Sequence, residues 1–278
     1  MVLQAIPVIS YLLTPVVMVL LWRSRFWRPT IGGRTPWRLP AGASFALFGL
    51  SIVGGGIVAS IAAGIVNDAK IEDPTLRLAI GTWAGLLGGL LGAAPGPAIA
   101  RQESRSADAT PPMRIGPGLL AGAIGLLVAL PVVEAAASLG QAVQQWISGR
   151  EPSPLAHDTL QVLMGSTPDL GWWLLVGGAL IGAPVLEEIL YRGFLQQGLR
   201  RLDVGPWLAT ISTAGLFTLM HLPALPIEGR ISALSGLFVL AIALGIIRER
   251  TGRLDACILA HALFNTFNLL LALATTAE

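Results

Sequence analysis

Charge is scarce in this sequence. Asp, Glu, Lys and Arg make up 12% of the 278 residues, about half of the ~25% usual in soluble domains. Lysine is nearly missing: Lys70 stands alone and arginine carries the rest of the positive charge. Cysteine is limited to Cys257, which excludes an intrachain disulfide and any zinc site built from several thiolates. Its apolar neighbourhood reads as that of a small buried hydrophobe. No basic face interleaved with aromatics is present, so nucleic acid is excluded as a partner. The His-Glu-x-x-His helix of the common zinc proteases is absent as well. What fills the chain instead is apolar: 54% hydrophobic residues, 33 glycines and a mean hydropathy of +0.71. These residues fall in runs of about 20, the length that crosses a bilayer. The fold class expected is an all-α, polytopic membrane helix bundle, with the lipid bilayer as its surroundings.

About eight transmembrane helices are expected, over 3–22, 41–66, 78–100, 115–139, 170–199, 206–222, 231–247 and 254–274. The first has no basic residue before it and Arg23, Arg25 and Arg28 just after, which reads as a retained helix rather than a cleaved signal peptide. Basic residues alternate between loops. Arg23, Arg25, Arg28, Arg34 and Arg38 form one group, followed by Arg101, Arg105 and Arg114, by Arg200 and Arg201, and by Arg248, Arg250 and Arg253. The intervening loops hold only Lys70, Arg77, Arg150 and Arg230. Cytoplasmic loops are enriched in Lys and Arg, so both termini are expected outside. Three parts follow: a four-helix membrane scaffold over 1–140, an external loop over 141–169 and a four-helix core over 170–278. Glycines four apart (Gly81, Gly85, Gly89; Gly88, Gly92, Gly96; Gly118, Gly122) mark faces where helix backbones approach closely, within the bundle or in a homodimer. The external loop carries His157 and Asp158, expected to be solvated. The heavy use of arginine suggests a bacterial protein of the cytoplasmic membrane.

Against this background, the polar groups inside the second half stand out. Ionisable side chains within hydrocarbon cost several kcal/mol on insertion and mark functional sites. Glu188 and Arg192 are four apart and share a helix face, which permits an internal ion pair. Glu187, one residue away, points elsewhere and stays available for chemistry as a carboxylate in an apolar site. Phe217 and His221 share a face on the next helix, just before Leu222-Pro223, where that helix must end or kink. His261 and Asn265 are again four apart on the last helix, with Asn268 three further on. The plainer readings are that Asn268 hydrogen-bonds across to a neighbouring helix, that Phe217 is packing, and that Glu134 reaches the outer interface or pairs there.

Glu187-Glu188-x-x-x-Arg192, Phe217-x-x-x-His221 and His261-x-x-x-Asn265 resemble, in order and spacing, the three motifs of the CPBP family. That family comprises CAAX-protease and bacteriocin-processing (Abi) intramembrane proteases, the Ras-converting CAAX endopeptidase among them. The resemblance covers about residues 170–271. It implies a catalytic set of Glu187, His221, His261 and Asn265. Glu187 would activate a water with help from His221, while His261 and Asn265 would stabilise the tetrahedral oxyanion. Glu188, Arg192 and Phe217 would support them from behind, with Tyr191 as an outer neighbour. The family is also described as metalloproteases, so Glu187, His221 and His261 could supply the ligands of an open zinc site. It further implies a cytoplasm-facing cavity and a membrane-associated peptide or protein substrate, prenylated or of bacteriocin type.

Two other classes remain open. A proton-coupled transporter would spread polar residues along a pathway and break helices in both halves, whereas here they gather in the second half. A non-catalytic immunity or binding protein could share the fold without turnover.

Overall fold

The computed structural model describes residues 2–23, 39–104, 115–149 and 158–276, and among these there is no strand. The helices are α1 (Val2–Arg23), α2 (Ala41–Asp68), α3 (Pro74–Ala93), α4 (Gly96–Ser104), α5 (Ile115–Ser148) and α6 (Asp158–Met164). A long helix, Leu170–Arg201, follows in five stretches. These are α7 (Leu170–Gly177), a π turn (Gly178–Gly182), α8 (Ala183–Glu188), a second π turn (Ile189–Leu195) and α9 (Gln196–Arg201). Then come α10 (Pro206–Met220), two 3-10 turns, α11 (Arg230–Thr251) and α12 (Leu254–Thr276). His157 lies outside the described residues, as do Arg25, Arg28, Arg34, Arg38, Arg105, Arg114 and Arg150.

Among the described residues, six helices are long and apolar enough to cross a membrane: 41–68, 74–100, 116–148, 170–201, 227–251 and 254–274. Each overlaps one of the eight expected spans. Of the other two, α1 is apolar and 22 residues long, and α10 is apolar but shorter. In α10, Pro206 starts a helix of 15 residues, about 22 Å at 1.5 Å per residue, against a hydrocarbon core of ~30 Å. By contrast, the polar end of α5 extends its helix to Ser148, because Gln144 turns inward. Its amide donates to the Ile227 carbonyl at 2.5 Å and accepts from the Ile231 N–H at 2.8 Å. Surfaces outside the packed core are apolar, with Val53, Ile57, Ile61 and Ile65 on α2 and Leu120, Ile124 and Leu127 on α5 all exposed. Lipid, not water, suits such faces. This is an integral membrane protein.

Lipid tails are as apolar as leucine, so these helices associate by close packing rather than by a hydrophobic drive. The glycine pattern shows where. A Cβ on Gly88 would run into the backbone of Gly54, and one on Gly92 into that of Leu50 and Ser51, so α3 lies directly on α2. Gly89 leaves room for Leu186 and Gly182 for Leu86, which seats α3 against the long helix. Gly122 receives the Ala256 backbone, joining α5 to α12. Of the expected glycines, Gly81 faces open space. At one end, Asp73 caps α3 through the Leu76 N–H, and Asp169 caps α7 through the Trp172 N–H; the Thr75 hydroxyl donates to Asp73. That hydroxyl bond holds the Asp73 carboxyl below its ordinary pKa.

Gly88→Ala is expected to destabilise the detergent-solubilised protein by about 1–3 kcal/mol, because backbone cannot yield as a side chain does. Gly81→Ala, with open space around it, is expected to leave the unfolding midpoint unchanged. Thermal unfolding of the two variants side by side checks both.

Candidate active site

The long helix places the two glutamates differently, as the one-residue offset requires. Glu188 and Arg192 are completely buried and joined at 2.8 Å, one turn apart. The other arm of Arg192 donates to the Ala241 carbonyl of α11 at 3.0 Å, and its guanidinium lies 5.0 Å from the centre of the Phe217 ring. His261 Nδ1 completes the cluster at 2.9 Å from the same Glu188 oxygen. That oxygen can only accept while Glu188 is ionised, so Nδ1 carries the proton and Nε2 is left facing away.

Glu187 is turned toward a cavity and is 25% exposed. Its Oε2 lies 3.9 Å from His221 Nε2 and 3.8 Å from His261 Nε2. His221 is oriented in the same way as His261: its Nδ1 donates to the Phe217 carbonyl at 2.7 Å, so its Nε2 also carries a lone pair. His221 sits at the very end of α10, and the shortness of that helix brings it to the level of Glu187. The completely buried Phe217 ring stands between the pieces, its centre 4.5 Å from that of His221, 5.9 Å from His261 and 5.0 Å from Tyr191.

Asn265 is held by a defect in the long helix. Pro184 has no N–H, and the Ala183 N–H reaches back five residues to Gly178, which leaves the Ala179 carbonyl without its helical partner. Asn265 Nδ2 donates to that carbonyl at 2.8 Å, and the side chain still lines the cavity with Glu187, His221 and His261. Such π turns recur at functional sites.

The cavity measures about 540 Å³ and is walled by α5, α6, α11, α12 and the long helix, with Thr82 of α3. It is mostly apolar, with Glu134, Ser138, Gln141, Asn265 and Asn268 as polar points. Glu134 was expected at the outer interface; here it lines the same cavity as Glu187. Its only sequence signal was an isolated carboxylate within an apolar run. Asn268 bonds the Phe264 carbonyl of its own helix at 3.0 Å rather than a neighbouring helix.

Two imidazoles with occupied Nδ1 atoms, their Nε2 atoms converging on a carboxylate, form the kind of donor set that binds zinc. The spacing is another matter. Tetrahedral ligands at about 2.1 Å from zinc stand ~3.4 Å apart, whereas these separations are 3.8 and 3.9 Å. Among the described residues, no group of three or more His, Cys, Asp or Glu is placed to hold a metal ion. As placed, the three groups stand more widely than the ligands of one zinc ion.

Removing one member of a buried ion pair leaves the other charge uncompensated, at a cost of about 3–5 kcal/mol. Glu188→Gln is therefore expected to lower stability by that amount in thermal unfolding, and Glu188→Gln with Arg192→Met to regain most of it. Asn265→Ala is expected to cost on the order of 1 kcal/mol through the orphaned carbonyl. Adding Pro184→Ala, which supplies an N–H in the long helix, should recover stability but not activity.

Comparisons with curated proteins and with solved structures produced no match. The family described as Rce1-like, type II CAAX prenyl endopeptidase, matches residues 169–267, the stretch that carries Glu187, His221, His261 and Asn265 and whose motifs resemble the CAAX proteases.

Proposed function

We propose that this protein is an intramembrane endopeptidase in which Glu187 activates a water molecule against a peptide carbonyl. The observation that carries this reading is the convergence of two imidazole Nε2 atoms on one partly exposed carboxylate at 3.8–3.9 Å. The match to Rce1-like endopeptidases over 169–267 supports it. Such separations are too long for direct hydrogen bonds and suit a bridging water. Glu187 takes a proton from that water, and His221 Nε2 orients it by accepting its second hydrogen. The resulting hydroxide attacks the carbonyl carbon and the oxyanion forms. Asn265 has a second amide hydrogen beyond the one given to Ala179, and this donates to the oxyanion. His261 can donate through Nε2 when both ring nitrogens are protonated, and the Glu188 carboxylate behind it offsets that charge. Glu187 then returns its proton to the leaving amine as the C–N bond breaks. One peptide and one water become a carboxylic acid and an amine, and transfer of the acid proton to the amine leaves a carboxylate and an ammonium.

The substrate is a membrane-associated peptide or protein segment that enters the apolar cavity. A volume of about 540 Å³ lies within the ~300–1,000 Å³ range of sites that enclose a ligand of drug size, so the cavity accepts a short extended stretch.

Cells expressing the wild type or Glu187→Gln at equal levels are compared for new termini in membrane proteins. Loss of the general base is expected to slow turnover by about 10²–10⁴-fold, so wild-type-specific termini should vanish. Identical termini in the two cell types, with any wild-type phenotype retained in the variant, would replace this reading with the binding-protein one. Activity of the purified wild type is expected to withstand a strong zinc chelator; loss on chelation with recovery on zinc addition would overturn the metal-free mechanism.

A further inference from the structure

We infer that the catalytic cavity, against the cytoplasm-facing one that the resemblance implies, opens on the side of the membrane away from the arginine clusters, so that its substrates are peptide segments on the non-cytoplasmic side. Two independent observations meet here. The first is positional. The cavity-lining residues lie between 133 and 141 on α5, 232 and 237 on α11, and 261 and 272 on α12; on the long helix they lie between 175 and 187. In α5 and α12 these positions fall toward the C-terminal end. In α11 and the long helix they fall toward the N-terminal end. The helices run in alternating directions, so all four segments belong to one side of the bundle. Thr82 near the start of α3, His221 at the end of α10 and Thr159 in α6 join the same side.

The second observation is the distribution of charge. Arg200 and Arg201 end the long helix, Arg248 and Arg250 end α11, and Arg253 precedes α12. Every one of them lies at the opposite end from the cavity. Contacts confirm that these ends are gathered together: Arg200 pairs with Glu249 at 3.3 Å, and Gly118 at the start of α5 lies against Arg253 and Asp255. Clustered Lys and Arg in short loops set the cytoplasmic side, and the cavity faces away from them. On the cavity side, the exposed rings of Trp146 and Trp173 stand where an interfacial aromatic belt is expected.

The consequence is chemical. A cytosolic protein with a prenylated C-terminus would meet the arginine-rich face, and the long helix, α11 and α12 separate it from Glu187. An exported or membrane-anchored peptide meets the open side. There the polar points Glu134, Ser138 and Gln141 of α5 line the approach, so the carboxylate of Glu134 favours a segment bearing a cationic or hydrogen-bond-donating group. The substrate class rests on the endopeptidase reading; the side of opening does not.

The test uses the full chain in a bacterial host. Native Cys257 is completely buried, so the wild type serves as the unlabelled control. Gln141→Cys places a thiol beside the cavity, and Leu202→Cys, at an exposed position past α9, places one at the opposite end. A membrane-impermeant maleimide is expected to label Gln141→Cys in intact spheroplasts and Leu202→Cys only after lysis. The reverse pattern, or equal labelling of both before lysis, would overturn the inference. Should Gln141→Cys fail to accumulate, exposed Gln145 on the same helix end gives the same readout as Gln145→Cys. The labelling needs no turnover, so a failed catalytic mechanism would show in the Glu187→Gln comparison and leave the labelling result untouched. Termini lost with Glu187→Gln should map to non-cytoplasmic segments; termini in cytoplasmic segments would overturn the substrate class.

Discussion

A glutamate and an arginine with no exposure to solvent, in a protein surrounded by lipid, must satisfy each other or leave the membrane. Glu188 and Arg192 do so at 2.8 Å, and the rest of the candidate site is arranged around that bond. Arg192 reaches α11 through the Ala241 carbonyl, and Glu188 reaches α12 through His261. Three helices are thus tied at one point by charge-assisted hydrogen bonds, which are stronger than neutral ones. In a bilayer, where apolar packing alone discriminates weakly between helix arrangements, such a tie fixes rotation and depth. It also sets chemistry at a distance. With its Nδ1 proton directed to Glu188, His261 must present Nε2 to the cavity, where it faces Glu187 at 3.8 Å.

The site depends equally on departures from regular helix. Pro184 interrupts the backbone ladder of the long helix, the π turn before it absorbs the interruption, and the Ala179 carbonyl left over is where Asn265 attaches. α10 stops after 15 residues, just before the prolyl turn at Leu222–Ala224, which holds His221 within reach of Glu187 instead of at the membrane surface. Irregular backbone inside a membrane is tolerated where protein or a cavity satisfies it, and both conditions hold here.

The first half of the chain is more than a support for the second. α5 supplies a wall of the cavity, including Glu134, and Thr82 of α3 supplies another part. Glycine contacts at Gly54, Gly88 and Gly92 bring α2 and α3 together, and Gly89 makes room for Leu186, the residue before Glu187. Packing in the N-terminal half therefore bears directly on where the Glu187 carboxylate points.

Much of this was written locally in the sequence. Apolar runs of about 20 residues set the bundle, since a bilayer accepts little else, and among the described residues six of the eight expected spans form helices long enough to cross. Four-residue spacing placed Glu188 with Arg192 on one face and turned Glu187 away, because helix geometry alone decides that. Other features needed the fold. No spacing within one helix sets Glu187, His221 and His261 at a common level, and only the assembled bundle brings them within 4 Å. Glu134 and Asn268 read as an interfacial carboxylate and an interhelical bond; their place on the cavity wall depends on which helices are neighbours, and no spacing within one segment encodes that. The sequence by itself determined which side chains are held inside the membrane and which share a face. The tertiary structure decided which of them meet, how far apart they stand and which helices wall the cavity, because those are relations between helices distant in the chain.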